Sequence, residues 1–570
     1  MWNELFKKWA LRCRLTVKPA GLIPAKSVWF IVADDDYPWG DIELYPAKDG
    51  GIKHTFPHQS HNAEGNPDVP WREGKICVRT SLRYAGRRAY DIEPTSPEER
   101  LRWHVMRAKE WLEAAAAGRV AEVGEPFELP DFPRRSHTTL GFIEDEDSFR
   151  FWQEETVEVC GVATVVQPDG VNAWYAVTTF SNARGKTIRE VEYGALLRHG
   201  TARKLSAMWI RLPRIPVIHP WQAPATFGEL RAAMKEQGVD FNPLFFDLAR
   251  DFRDGKRHIL LVGFPIPTTI GGEPAMYHWQ ALQLPVLTHG KVKGFRPKEG
   301  NFAMNDARTV LSDSSSIDWI ISRNWSEQQI RTRGRASSSL TGAKVLIVGA
   351  GAIGSSVAEI LVREGCQRIV VVDGDILEVG NLCRHTLSIQ EIQTPKAESL
   401  AARLNSISPH VTAEGVRRYV HNTTEVEQRK MAECTIVIDC TGDDRAAFRL
   451  STFPWEGNKL FVSISTGLQA RRLFLFGACG ERFPHHDFSA MLTPWLDKEL
   501  KEHKGFELPP EGLGCWHPVF PARSDDIWLL SSIAVKCIDS WMTNPPRSPR
   551  LCVFEQEQKD EFPPGIKLVQ

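Results

Sequence analysis

The chain of 570 residues is too long for a single hydrophobic core, so three or four domains are expected. Its 70 basic and 71 acidic side chains nearly cancel, to a net charge of −1, which excludes a global basic field for nucleic acid. Charges interrupt every apolar stretch of the opening MWNELFKKWALRCRL, and no run approaches the roughly 18 residues of a membrane span, so a cytoplasmic protein with no membrane segment is expected.

Bulky apolar residues at helical spacing predict a helix over 2–13. Residues 28–33 and 41–45 read as strands around a turn at 35–38, and a third extended piece leads into Phe56-Pro57-His58. A loop rich in Gly, Asn and Pro follows and ends at Gly74-Lys75-Ile76-Cys77-Val78, before a helix over 97–118. This order resembles the ubiquitin-conjugating (E2) fold, in which G-x-hydrophobic-Cys-hydrophobic marks a thioester cysteine; the resemblance makes Cys77 catalytic. Ordinary conjugating enzymes carry His-Pro-Asn about eight residues before that cysteine. Here the stretch is His58-Gln59-Ser60-His61-Asn62, farther away, and His58, His61 and Asn62 stand as candidates for the oxyanion-stabilising role.

Residues 136–323 predict strands at 157–166, 173–180, 258–265 and 276–284 and helices at 226–237 and 242–252, an α+β spacer without a catalytic constellation. A degenerate adenylation-like domain stays open there, although no glycine fingerprint supports it. His219, His278 and His289 are isolated and read as ordinary surface or core histidines. The eleven cysteines contain no C-x-x-C pair, which argues against a disulfide framework and against a four-thiolate zinc site, so no zinc is expected. Cys366, Cys434 and Cys440 read as small apolar core residues.

The most informative stretch is 344–385. A β-branched run at 344–348 predicts a buried strand, Gly349, Gly351 and Gly354 follow in G-x-G-x-x-G spacing, and a helical period and a second buried strand lead to Asp373. Such glycines permit a tight turn and close backbone approach to a phosphate at a helix N-terminus. Alone, the fingerprint fits a dinucleotide-binding dehydrogenase nearly as well. Four further stations, Asp373-x-Asp375, Asn381-x-x-Arg384, Lys396 after Pro395 and the VIDCTGD turn ending at Asp443, resemble the ThiF/MoeB and ubiquitin-activating (E1) superfamily. The resemblance implies an ATP site in which Asp373, with Asp375 in the same signature, holds the ribose. Asn381, Arg384 and Lys396 then lie at the phosphates, and Asp443 holds Mg2+. It also implies a homodimer in which one of Arg331, Arg333 and Arg335, in the polar stretch 324–340, reaches the partner's ATP.

Helices over 397–405 and 443–450 and strands over 461–465 and 471–476 complete a doubly wound Rossmann-like sheet. Residues 478–513 read as a long crossing loop ending at Gly514-Cys515-Trp516-His517, just before a helix over 525–541. A helix N-terminus favours the thiolate there, and His517 could help. Cys515 resembles the thioester-forming cysteine of activating enzymes.

The expected division is therefore 1–135, an α+β ubiquitin-conjugating-like domain; 136–323, an α+β linker domain; and 324–570, an adenylation domain with a catalytic-cysteine loop. This order resembles the bacterial E1–E2 fusions that accompany cGAS/DncV-like nucleotidyltransferases in antiphage (CBASS) operons. That resemblance implies a nucleotidyltransferase C-terminus, or another ubiquitin-like protein, as acyl donor, target lysines as acceptors, and no direct nucleic-acid contact. Two other readings remain: a sulfur-carrier adenylyltransferase with an N-terminal binding module, and a non-catalytic scaffold.

Overall fold

The computed structural model describes residues 1–78, 93–135, 137–154, 157–291, 298–511, 517–559 and 562–570. The chain forms two compact units, Met1–Val191 with Arg203–Ser326, and Glu192–Ala202 with Glu327–Gln570. Among the described residues no helix is long and apolar enough to cross a membrane.

The first unit begins with an antiparallel meander of four strands, Trp2–Asn3, Lys8–Thr16, Lys26–Ala33 and Ile42–Pro46. Its third strand is buried on both faces. Trp29 and Ile31 meet the helix Pro97–Ala116 through Ala108, Trp111, Leu112 and Ala115, a helical stripe at three- and four-residue spacing. Phe30 and Val32 point the other way, under Trp71. The helix expected over 2–13 is instead mostly strand. Trp9 through Thr16 pair residue by residue with Ala33 through Lys26, and this cross-strand pairing outweighs a local apolar spacing that suits either form.

The rest of the first unit is a nine-stranded mixed sheet. Asp318–Trp319 pairs with Leu282 and Gln283 at one edge, and Ile321–Asn324 pairs with Thr139–Phe142 at the other. One continuous stretch thus belongs to both edges and closes the sheet on itself. The expected strand pairs appear as Cys160–Pro168 with Trp174–Asn182 and Ile259–Pro267 with Pro274–Gln283. One face packs on the helices Phe227–Lys235 and Phe241–Ala249. The other carries an aromatic cluster around Glu144, whose Oε1 accepts from Trp152 Nε1 at 3.0 Å, Trp279 Nε1 at 2.7 Å and Arg189 Nη1 at 2.8 Å. His278 lies buried against Phe142 and Phe264, and burial lowers its pKa to about 4, as suits a neutral core histidine.

The second unit is a doubly wound sheet. Its strands lie in the order Thr412–Val416, Arg368–Val372, Lys344–Val348, Ile436–Asp439, Lys459–Thr466, Arg472–Gly480, Arg550–Lys559 and Phe562–Leu568. The first five are parallel and the last three antiparallel. Helices Ala352–Glu364, Lys396–Asn405 and Ser524–Thr543 cover one face; Glu425–Ala432, Asp444–Thr452 and His485–Glu502 cover the other. The strand order reverses at Lys344–Val348, and in such sheets ligands bind at the carboxyl ends of the strands beside that reversal.

Residues 478–513, expected as a loop, contain the 18-residue helix His485–Glu502. Pro484 and Pro494 disguise it, because proline in a helix interior removes a hydrogen bond. Tertiary contacts restore the balance: Phe488 and Leu492 are buried, and the buried Arg472 donates to Glu499, to Glu502 at 2.6 Å and to Glu555 at 2.7 Å. Arg472→Met would leave Glu499 buried without its cation and should lower the stability of this unit by about 3–5 kcal/mol. Urea unfolding measures it, and adding Glu499→Met in the same chain should recover part of the loss. A single variant as stable as the parent would remove this pairing from the stability of the unit.

Candidate functional site

The strand Lys344–Val348 ends at Gly349, whose φ of +88° is a left-handed turn that only glycine adopts without strain. The helix behind it packs without clearance, since a Cβ on Gly354 would fall 1.9 Å from the Gly349 carbonyl oxygen. Gly351, at the cap of the helix Ala352–Glu364, differs: an added Cβ there meets nothing within 4 Å. No packing demands glycine at this position, and the space lies where the first N–H groups of the helix lack intrahelical acceptors. A phosphate group fits such a place.

The Ala350 peptide between these glycines is held from both sides. Asp373 Oδ2 accepts from Ala350 N at 2.6 Å, and His385 Nε2 donates to Ala350 O at 2.6 Å. Leu387 N donates to His385 Nδ1 at 3.0 Å, which fixes the neutral tautomer with its proton on Nε2. Burial lowers the His385 pKa, so it is uncharged at neutral pH. Burial raises that of Asp373, whose second oxygen accepts from Asp375 N at 2.7 Å.

The remaining stations gather around this turn. Lys396 Nζ lies 3.4 Å from Asp375 Oδ2, and Tyr419 Oη donates to Asp375 Oδ1 at 2.7 Å. Asn381 Oδ1 accepts from Glu378 N at 3.1 Å, which shapes the short turn Val379–Cys383. Arg384 donates to the carbonyl of Phe520, downstream of Cys515. Asp443 caps the helix Asp444–Thr452 by accepting from Arg445 N at 2.9 Å and pairs with the exposed Arg445 guanidinium at 3.0 Å. Among the described residues no group of three His, Cys, Asp or Glu side chains could hold a metal. Magnesium at Asp443 would draw its other ligands from phosphate oxygens and water, as that ion commonly does. Arg331 donates to the carbonyls of Val362 and Arg363 at the end of the glycine-loop helix, whereas Arg333 and Arg335 are exposed. Cys515 lies outside the described residues.

In the first unit, residues 58–60 run antiparallel to 75–77. Cys77 N donates to His58 O at 2.8 Å, Ser60 N donates to Lys75 O at 2.9 Å, and Gln59 bridges Ile76. This register sets His58 opposite Cys77. Both line a cleft of about 1450 Å³, walled also by Arg107 of the helix Pro97–Ala116, by Glu128 and its neighbours, and by Ile321 and Arg323 of the closed sheet. The Cys77 thiol is exposed to this cleft. Its pKa is raised above the ordinary thiol value, first by desolvation and then by the Glu128 charge, against the pull of Lys75 and Arg107. His58 has φ +56° and binds Glu128 through Nδ1 at 2.6 Å, a bond that raises the imidazole pKa. Asn62 is buried, donating to Ile52 O and His54 O and accepting from Arg72 Nε, each at 3.0 Å. His61 is also buried. Of the three candidates beside Cys77, only His58 lines the cleft.

Two residues were not singled out from the sequence. His385 directly follows Arg384 in the nucleotide signature, so its position could have drawn notice. Glu128 lies in an extended, proline-rich stretch with no local signal at all.

The Cap2 central linker domain description matches residues 118–325 and the ThiF family description matches residues 322–467. An ATP-dependent ubiquitin transferase-like protein Cap2 of Enterobacter hormaechei subsp. hoffmannii is 36% identical over 554 residues, 95% of this chain and 91% of that protein. A SAMP-activating enzyme E1 of Haloferax volcanii is 34% identical over 103 residues, covering 18% of this chain and 37% of that protein. A molybdopterin-synthase adenylyltransferase of Haemophilus influenzae is 31% identical over 107 residues, covering 18% and 42%. The solved structure of E. coli MccB with ATP covers 40% of this chain and 64% of that one at 14% identity and a TM-score of 0.28, too slight a likeness to carry weight.

The pinned Ala350 peptide yields a direct test. His385→Ala should weaken ATP binding about tenfold by freeing the turn, whereas His385→Gln, which can still donate and accept at the same places, should bind nearly as the parent does. The parent should lose affinity only as pH falls through a value below the ordinary histidine one, where His385 charges and Nδ1 stops accepting. That acid limb should vanish in the glutamine variant, and calorimetric titration with ATP at several pH values reads both outcomes.

Proposed function

This chain belongs to the Cap2 family of ATP-dependent ubiquitin transferase-like proteins, and from that premise we propose that it joins a protein C-terminus to an amine through two successive cysteine thioesters. It is an ATP-dependent adenylating, E1-like enzyme. The observation that carries the two-cysteine reading is that one polypeptide holds a glycine-loop site at the reversal of a doubly wound sheet and, in another unit, an exposed cysteine within a large cleft.

A carboxylate acylates nothing at useful rates, because its leaving group is poor. Attack on the α-phosphate of ATP makes an acyl-adenylate and releases pyrophosphate, for which the protein must position reactants and offset charge. The helix N-terminus at Gly351, with Arg384 and Lys396, would meet the phosphates, and Asp373 with Asp375 the ribose. Arg384 is already bonded to the Phe520 carbonyl, and Lys396 is paired with Asp375. Each would exchange or share that partner when ATP enters. Magnesium held by Asp443, in exchange for Arg445, would neutralise phosphate charge when bound. Cys515 would then take the acyl group, and Cys77 would receive it by transthiolation and release it to a lysine amine as an amide.

The donor we propose is the C-terminus of a cGAS/DncV-like nucleotidyltransferase, with conjugation priming it in antiphage defence. A homodimer in which Arg333 or Arg335 completes the partner's ATP site fits the exposure of both. The sulfur-carrier reading would leave the Cys77 cleft without a task.

With ATP, magnesium and that donor, Asp443→Ala should lose exchange of labelled pyrophosphate into ATP. Cys515→Ala should retain exchange yet form no thioester. Cys77→Ala should accumulate one thioester that reductant cleaves, and make no stable conjugate; Cys77→Lys should keep a reductant-resistant amide. Conjugation by Cys77→Ala at the parent's rate would reduce the N-terminal domain to a binding module.

A further inference from the structure

We propose that His58 is the catalytic base of the last transfer, taking the proton from the amine that attacks the Cys77 thioester, and that Glu128 positions its ring. This rests on the proposed thioester at Cys77. The geometry begins with the backbone register, which sets His58 opposite Cys77 across the 58–60 and 75–77 pair. Both line the same cleft. Glu128 holds Nδ1 at 2.6 Å, which leaves Nε2 as the ring atom free to meet a substrate. His58 also keeps a left-handed backbone, φ +56°, which side chains other than glycine adopt at a cost and which recurs at sites under functional constraint.

The other charged groups of the cleft are occupied or of the wrong sign. On the sheet, Glu43 is bound by Lys75 at 2.8 Å, and on the helix Glu110 is bound by Arg107 at 3.2 Å. In the extended segment, Asp131 accepts from His61 N at 3.0 Å and Glu125 from Glu122 N at 3.1 Å. Arg134 and Arg323 are cations and cannot take a proton. Asp41 also lines the cleft and is likewise engaged, and His58 is the lining side chain of a type that gains and loses a proton near neutrality.

The step balances. His58 Nε2 takes one proton from the lysine ammonium, the neutral nitrogen bonds the acyl carbon, and the carbon–sulfur bond breaks. A second nitrogen proton goes to the departing Cys77 thiolate, whose raised pKa favours the thiol, the third stays on the amide, and His58 returns its proton to solvent. Because the bond to Glu128 raises the His58 pKa, the base form is lost as pH falls through a value above the ordinary histidine one. Removing the Glu128 charge should move that inflection to lower pH.

The test uses the full-length protein with Cys77 charged by exchange from a synthetic peptide C-terminal thioester, and with Cys77→Ala as background. Discharge is followed with free lysine and with hydroxylamine, an amine already unprotonated at neutral pH. His58→Asn, a residue that tolerates the left-handed backbone, should slow lysine discharge by about 10²-fold or more and leave hydroxylamine discharge unchanged. Glu128→Gln should shift the acid inflection of lysine discharge downward. If Cys77 charges normally and His58→Asn discharges to lysine at the parent's rate, or slows both amines equally, His58 is not the base. Should His58→Asn fail to fold, an inflection unmoved in Glu128→Gln overturns the proposal by itself. If the parent gains no more thioester than Cys77→Ala, the role of Cys77 falls instead.

Discussion

A missing methyl group governs the second unit. The helix Ala352–Glu364 lies so close to the turn before it that a Cβ on Gly354 would sit 1.9 Å from the Gly349 carbonyl oxygen. That proximity delivers the helix N-terminus to the carboxyl edge of the sheet, where the strand order reverses. Asp373 and His385 then clamp the Ala350 peptide between the glycines. The turn at Thr441 packs closely on the other side, since a Cβ on Gly349 would fall 3.0 Å from Thr441 Cγ2.

Much of this was legible in the sequence because it is local. The buried strand 344–348, the glycine spacing, Asp373 and the helix that opens after Asp443 are all written within a few dozen residues, where period and turn chemistry decide. Trp2 to Cys13 misled because apolar spacing in a short stretch suits either helix or strand, and the deciding partner, Lys26–Ala33, comes later. His485–Glu502 was hidden by its prolines, and what restores it, Arg472, belongs to a neighbouring strand. The engagement of Arg331 with the end of the glycine-loop helix also has no local sign.

The cleft of the first unit shows the same limit more sharply. Cys77 was singled out from its own pentapeptide, but the groups around it come from a strand pair, a helix, an extended segment and the stretch that closes the nine-stranded sheet. No window of the sequence contains them together. His58 was a candidate because its stretch stands where ordinary conjugating enzymes carry His-Pro-Asn, and the register that puts it opposite Cys77 appears only once the chain has folded. Asn62, equally plausible by type, spends its amide on the loop backbone and Arg72.

The raised pKa of Cys77 has a bearing on the life of the protein between turnovers. An exposed cysteine is open to peroxide and to stray electrophiles, and the species that reacts with them is the thiolate. Held as a thiol by desolvation and by the Glu128 charge, Cys77 idles in a form that climbs the oxidation ladder slowly, in reach of solvent yet chemically quiet.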